Sequence, residues 1–385
     1  MTTQEAKLEA GRRLSAEVLE PMKSAFVGKD EIIDLMGVCL VGGENLFILG
    51  PPGTAKSALV HNLAARLEGE TFDYLLTRFT EPNELFGPFD IRKLREGELL
   101  TNTEGMLPEA SLVFLDELLN ANSAILNSLL TALNERMFRR GKESRPLKAL
   151  MFVGASNRLP EDDALKALFD RFLLRVHCDN VAAEQLPEVL DAGWKLNERG
   201  PSPSSLHFDE IKGLQSLLAG VDLAGVRTDY AELVHRIRHA GISVSDRRAV
   251  KFQRLMAASA LICGRTVVRH SDLWILKYIW DTEEQQEVLS ALVQPALEKA
   301  ETDSADHIRV RRADGPNPEN LARDLDYIDQ QLNQQTNGGS AYLRDRLSLL
   351  EGRCQWVADA GKREFLVKRV ADLWTRFHGS PKGEA

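Results

Sequence analysis

Cysteine is scarce in this chain of 385 residues: Cys39, Cys178, Cys263 and Cys354 lie far apart, with no CxxC pair. The eight histidines form no cluster of ligand spacing, which argues against a structural zinc site. Scattered thiols in a chain this long indicate reduced, mostly buried side chains and a cytosolic setting. Long apolar runs are missing too, and none approaches the ~18 residues that a membrane span needs. Met1 to Gly11 is polar and charged, without the apolar core of a signal peptide, so a cytoplasmic location is expected. A basic surplus is also absent: 48 Lys and Arg face 57 Asp and Glu, a net charge of −9. That argues against a general nucleic-acid binder and leaves Phe138-Arg139-Arg140-Gly141-Lys142 as one local basic patch. No internal repeats or extended low-complexity tracts occur. An apolar content of 43% is enough for two or three domains.

The most informative stretch present is Gly50-Pro51-Pro52-Gly53-Thr54-Ala55-Lys56-Ser57. Before it, Asn45 to Leu49 is short and apolar, as a buried strand would be. After it, Leu59, Leu63 and Leu67 recur every four residues, as on a buried helix face. Strand, Gly/Pro loop and helix are the context of a phosphate-binding loop. Small residues let backbone N–H groups turn inward around a phosphate, and the helix N-terminus adds its positive end. Gly50 through Ser57 and Ala58 therefore form the expected cradle for ATP or ADP. Lys56 reaches the β- and γ-phosphates, and the Ser57 hydroxyl holds Mg²⁺. The strict pattern has Gly before the Lys; Ala55 stands there, where the helix opens and Ala can be accommodated.

A second apolar strand, Leu112-Val113-Phe114-Leu115, ends in Asp116-Glu117. It would deliver two carboxylates to the sheet edge where ligands of open α/β folds sit. Asp116 is expected to orient Mg²⁺, directly or through water, and Glu117 to polarise the attacking water. A third, residues 149–154, leads to Ala155-Ser156-Asn157. Asn157 can hold the attacking water or the γ-phosphate without adding charge, or is an ordinary turn residue before Arg158-Leu159-Pro160.

Strands alternating with helices indicate an α/β sandwich around a mainly parallel sheet. Residues 1–25 read as amphipathic helix, about 31–40 as helix, 71–79 as strand and 82–110 as a turn-rich segment. Asn197 to Ser205 reads as a linker near a domain boundary. Residues 207–220, 228–239, 246–263 and 271–279 then read as helices. After a break at residues 313–318, Leu321, Leu325, Ile328 and Leu332 face Leu343, Leu347, Leu350 and Cys354 across a turn at 336–340. This pattern predicts an antiparallel helical hairpin, either packed on preceding helices or a partner-binding arm. The domains expected are 1–200, 201–312 and 313–385.

Loop, Asp-Glu strand and Asn strand, in this order, resemble the AAA+ ATPases. Val27-Gly28, Glu84-Leu85-Phe86-Gly87-Pro88, Gly105 to Ala110, Phe114 to Leu118, Ile125-Leu126-Asn127, Leu133-Asn134-Glu135-Arg136, Gly154 to Asn157, Asp170-Arg171-Phe172 and Ser245-Asp246-Arg247-Arg248 bring the wording closer to the MoxR family, and within it to the RavA-like branch. The likeness covers roughly residues 20 to 280, and Ala at position 55 is common in that family. It implies an AAA+ core with an insert in its second helix at about 82–110, an all-α lid, and a C-terminal helical extension. It further implies that Arg171 is an arginine finger reaching a neighbouring subunit's ATP. Arg247 would be a second sensor contacting the γ-phosphate of its own subunit, and Arg248 would serve a neighbour contact. Val27 and Gly28 would lie near the adenine. Phe86-Gly87-Pro88-Phe89 would either grip a client or form a packed hairpin.

The implied function is that of a Mg-dependent ATPase ring, usually of six, which remodels a protein client, often with a von Willebrand factor A domain partner. A nucleic-acid motor is the alternative that the acidic balance opposes; no basic recognition helix is visible. A nucleotide-gated scaffold with slow hydrolysis is the other. Residues 313–385 depart from the RavA-like branch, which carries a β-containing insertion after its lid, because they show no strand alternation.

Overall fold

A computed structural model describes residues 3–181, 183–199, 205–298, 306–311, 321–322, 325–326, 328–329, 340–354 and 360–379. Two compact units emerge, Met1–Arg311 and Arg312–Ala385. The predicted break at 313–318, Leu332, residues 336–339 of the predicted turn and residues 200–204 of the linker lie outside the described residues.

The first unit is built on a five-stranded sheet. Its strands are β1 (Leu46–Leu49), β2 (Thr71–Leu75), β3 (Leu112–Asp116), β4 (Met151–Ser156) and β5 (Leu174–His177). Their order is β2-β3-β4-β1-β5, and every neighbouring pair is parallel. β1 and β4 are buried along their whole length. Strands covered on both faces carry continuous apolar runs, which is why Leu46-Phe47-Ile48-Leu49 shows no alternation. Leu49 pairs with Ser156 on one side and His177 on the other, and Leu75 pairs with Asp116. The carboxyl ends of the strands therefore emerge along one edge. The expected strand 71–79 is shorter than its apolar pattern, because the chain turns through Thr77 and Thr80 after β2.

Helices flank this sheet: α1 (Asp30–Gly42), α2 (Lys56–Arg66), α3 (Ser123–Glu135) and α4 (Asp163–Phe169). α1 ends at Gly43 in the left-handed conformation that favours glycine (φ 67°). α3 ends instead at a left-handed Arg136 (φ 54°), and an antiparallel hairpin of Met137–Arg140 with Glu143–Pro146 follows. Residues 3–25 are helical as expected, with one π-helical stretch at Leu14–Leu19.

Helix Phe208–Gln215 follows the sheet, and then the helices of the expected lid, Arg227–His239, α5 (Asp246–Ile262) and Gln285–Glu298. The predicted helix at 271–279 is a 3₁₀ stretch, His270–Tyr278. Its fully buried Asp272 draws bonds from Ser259, Arg265 and the Arg269 N–H, which tightens the turn. Helix Leu186–Arg199, which the sequence reading did not resolve, precedes the lid. Leu67 and Leu206 pair in a short parallel bridge that ties the strand Leu206–His207 to the end of α2.

The second unit has a core of its own. Leu321, Leu325 and Ile328 cluster with Leu343, Leu347, Leu350 and Cys354, as the spacing predicts. Leu366, Val370 and Leu373 from a third helix, Ala360–Gly379, complete that cluster. A two-helix hairpin would leave one side of this apolar stripe open, so the extension is larger than the expected hairpin.

The phosphate-loop region differs from expectation in one respect. Ala55 does not sit as an ordinary first helical residue; it precedes α2 with φ 73° and ψ 20°. An L-residue in that region carries a steric cost that Gly avoids. Ala55→Gly should therefore raise stability by about 0.5–1 kcal/mol, after the opposing entropy of Gly in the unfolded chain. Urea melts should show this as a higher midpoint at unchanged slope.

Candidate functional site

At the sheet's carboxyl edge, Pro52, Gly53, Ala55, Lys56, Ser57, Ala58, Asp116 and Glu117 enclose a cleft of about 370 Å³. The fold thus joins the loop after β1 to the carboxylates after β3. Gly50 is pinned from below: a Cβ there would stand 2.3 Å from the Cys178 carbonyl oxygen. Its N–H donates to Ser156 O at 3.0 Å, fixing the loop's root to β4. Gly53 has φ +82° and open space where a side chain would project. The Thr54 hydroxyl donates to Pro51 O at 2.9 Å, and Cys178 Sγ to Thr54 O at 3.1 Å. N–H groups at the start of α2 have no helical carbonyl ahead of them, so this end of the cleft favours an anion.

Lys56 is buried, and its ammonium donates to the carbonyls of Gly50 (2.7 Å) and Pro51 (2.8 Å). The Ser57 hydroxyl donates to Asp116 Oδ2 at 2.9 Å, and the Glu117 N–H to Asp116 Oδ1 at 2.9 Å. Glu117 turns sharply off the strand in a left-handed conformation (φ 50°, ψ 42°). Burial, then the adjacent Asp116 charge, push its carboxyl above the ordinary glutamate pKa, against smaller opposing effects of Lys56 and Arg158. A hydroxyl and a carboxylate side by side are hard oxygen donors, which suit Mg²⁺. Among the described residues no cluster of three or more His, Cys, Asp or Glu could hold a metal alone. An ion here would accordingly share its shell with phosphate oxygens and water.

Val27 and Gly28 form a turn against the segment after β5. A Cβ on Gly28 (φ +71°) would meet Val181 Cγ1 at 2.9 Å, and the Lys29 ammonium bonds the Asp179 carbonyl. Since Cys178 touches the phosphate loop, the Val27-Gly28 turn reaches the same side of the sheet. Asn157 follows β4 directly and is exposed. It does not line the cleft.

Arg171 and Arg247 do not join this cleft. They line a separate cavity of about 90 Å³ with Leu133, Asn134, Asp170, Ser245 and Lys251 among its walls. Arg247, exposed at the start of α5, donates to Asn134 Oδ1 at 3.3 Å. Arg171 lies 3.3 Å from Asp170, and its buried Nε has no hydrogen-bond partner among the described residues. Arg248 departs from expectation. It is buried, bonded to the carbonyls of Ser243 and Ile279 and paired with Asp281 at 3.3 Å, so it is not free for a neighbour contact. Asp281 also meets the fully buried Arg175 of β5 at 2.6 Å. Burial and the nearby Arg248 charge lower the Arg175 pKa to about 10, so it stays a cation at neutral pH. Sequence reasoning missed Arg175 and Asp281; a lone Arg inside the apolar strand Leu174–His177 was the available signal.

The insert resolves into a packed structure. Phe86 is buried and packs on Phe138 of the hairpin, while Arg140 stacks over Phe89 at 4.0 Å. A Cβ on Gly87 (φ +97°) would collide with Asn102 O. Glu143 accepts from the Thr101 N–H (2.9 Å) and hydroxyl (2.6 Å), and Glu109 pairs with Arg145 (3.0 Å) and Lys148 (2.6 Å). Most of the basic patch at 138–142 is committed within the fold: Arg140 to the insert and Arg139 to Glu135. The large apolar side chains exposed on the insert are Phe89, Ile91, Leu94, Leu99 and Leu100.

Comparison with known proteins fits this arrangement. Residues 12–216 match the model of the MoxR domain in the MoxR-vWA-beta-propeller ternary systems, and residues 222–293 match an AAA lid domain. Two uncharacterised proteins of Methanocaldococcus jannaschii are similar. One is 33% identical over 69% of this chain and 71% of its own length; the other is 31% identical over 81% and 80%. The chaperone MoxR1 of Mycobacterium tuberculosis is 26% identical over 54% of this chain and 55% of its own. A solved structure from Cytophaga hutchinsonii, provisionally described as an ATPase, shares the fold with a TM-score of 0.62 at 20% identity, covering 78% of this chain and 98% of that one. With a parallel sheet core, a cleft joining loop to carboxylates, and a helical lid, the chain belongs to the MoxR family of AAA+ ATPases.

Proposed function

We propose that this chain hydrolyses ATP at junctions between copies of itself in a ring, six by family resemblance, and remodels a protein client. The observation that carries this reading is the separation of the two cavities. Lys56, Ser57, Asp116 and Glu117 share one, while Arg171 and Arg247 share another. In this reading a second copy brings the two together, its Arg171 completing the site that the first copy's carboxylates begin.

In this reading Gly50, Pro51, Pro52, Gly53, Thr54, Ala55 and Ala58 shape the phosphate cradle, and Val27 and Gly28 border the adenine. Lys56 exchanges its loop carbonyls for β- and γ-phosphate oxygens. Ser57 and Asp116 hold Mg²⁺, which when bound supplies charge neutralisation at the phosphates. Glu117 accepts a proton from the attacking water; its raised pKa makes it a better base than an ordinary carboxylate. Asn157 steadies that water from the neighbouring strand. Arg171 stabilises the transferring phosphoryl group of the adjacent subunit. Arg247, first expected to act on its own subunit's nucleotide, is assigned the same neighbour, because it shares a cavity with Arg171.

A von Willebrand factor A domain protein is the proposed partner, supported by the wording of the matching family description. A nearer kinship with the RavA-like branch rests on motif wording alone. No strand occurs among the described residues after the lid, so that branch's own partner is not carried over. A cytoplasmic location is proposed; no helix among the described residues is long and apolar enough to cross a membrane.

Glu117→Gln and Arg171→Ala should each lower turnover about 10³-fold or more while retaining nucleotide binding. Mixed in equal amounts, the two inactive variants should regain activity at about a quarter of junctions, where one chain's Glu117 meets the other's Arg171. No recovery on mixing would place Arg171 on its own subunit's nucleotide and sink the junction model. Turnover should also fall as pH drops through the acidic range in which Glu117 takes up its proton. A pH–rate profile of the native ring that stays flat across that range would remove Glu117 as the base.

A further inference from the structure

The motif Leu133-Asn134-Glu135-Arg136 has no part in the chemistry above, yet Arg136 is held with unusual care. It closes α3 at φ 54° and ψ 38°, a position that Gly or Asn takes more readily. Its guanidinium is buried over the Phe152 ring, 4.9 Å from the centroid. One nitrogen donates to Gly43 O at 3.0 Å and to Asn45 Oδ1 at 2.8 Å. Asn45, only 1% exposed, sits immediately before β1. Its Nδ2 donates to the backbone carbonyl of Arg171 at 2.9 Å. A guanidinium can only donate and a carbonyl can only accept, so the amide orientation is fixed by its two partners. Asp would lose the donor toward Arg171, and Leu would lose both bonds.

The same short loop, Gly43-Glu44-Asn45, also receives the lid. Lys251 of α5 pairs with the buried Glu44 at 2.7 Å, and Arg254 reaches Gly42 O at 3.4 Å. Lys251 lines the Arg171 cavity as well. The Arg171 backbone is thus bonded to Asn45, and the loop that carries Asn45 is itself held by the end of α3 and by the lid helix.

We propose that Asn45 and Arg136 are positioning residues for Arg171. They hold the turn that presents its guanidinium to the adjacent subunit, an inference that rests on the junction reading above. The work of the strained Arg136 is to orient Asn45, and the work of Asn45 is to fix the Arg171 carbonyl. A guanidinium misplaced by about 1 Å at a transition state costs up to ~100-fold in rate.

The test compares Asn45→Asp and Arg136→Lys in the full-length native ring and in an Arg171→Ala ring. In the native background each should lower kcat by about 10- to 100-fold, with KM and ATP affinity unchanged. In the Arg171→Ala background neither should lower the residual rate further, because the residue they serve is gone. Equal loss in both backgrounds, unchanged kcat in the native one, or failure of both variants to assemble would overturn the inference. If Arg171→Ala itself leaves turnover intact, the junction reading fails and this inference falls with it. That outcome is distinct from loss of the positioning role alone, in which Arg171→Ala is inactive while Asn45→Asp is not.

Discussion

Parallel pairing of β1 with β4 on one side and β5 on the other is the constraint from which both halves of the site follow. At its carboxyl end, β1 releases the phosphate loop between Ser156 and Cys178, which hold Gly50 from either side. At its amino end, the approach to β1 carries Glu44 and Asn45, which reach the lid and the Arg171 turn. One short apolar strand therefore has a nucleotide cradle at one end and the mounting of the arginine at the other. The intervening residues, fully buried, leave little slack between them.

The legible parts of the sequence were those whose chemistry is local. Lys56 and Ser57 follow their loop within a few residues, and Asp116-Glu117 end an apolar run, so spacing was enough to bring them together. Arg171 and Arg247 were recognisable as residues but not as neighbours of each other. Their meeting depends on how α5 lies against the end of α3, which no local pattern encodes. Arg248 looked like Arg247's equal; burial separates them, since α5 turns one side chain outward and the next into the Asp281 and Ile279 contacts. The third helix of the C-terminal unit was missed for a related reason. Its apolar residues Leu366, Val370 and Leu373 make sense only once the first two segments leave a face to cover.

Buried cations recur where the lid meets the core. Arg175, Arg248 and Asp281 form a joint that crosses from β5 to the lid, and Asp170 stands 3.7 Å from Arg248. Ion pairs removed from water contribute little net stability, and apolar replacements often serve a fold better. Breaking one partner is costly, however, because a charge is then left buried alone. Such a joint favours one seating of lid on core over a continuum of loose ones.

The stitched insert has a consequence for mechanics. Arg140, Glu143 and Arg145 bond residues of the insert across a hairpin that begins directly after Arg136. The insert is thus clamped at both of its ends to the hairpin, Asn83 and Gly87 on one side and Thr101 and Thr103 on the other, and the exposed Ile91 and Leu94 lie on the stretch between the clamps.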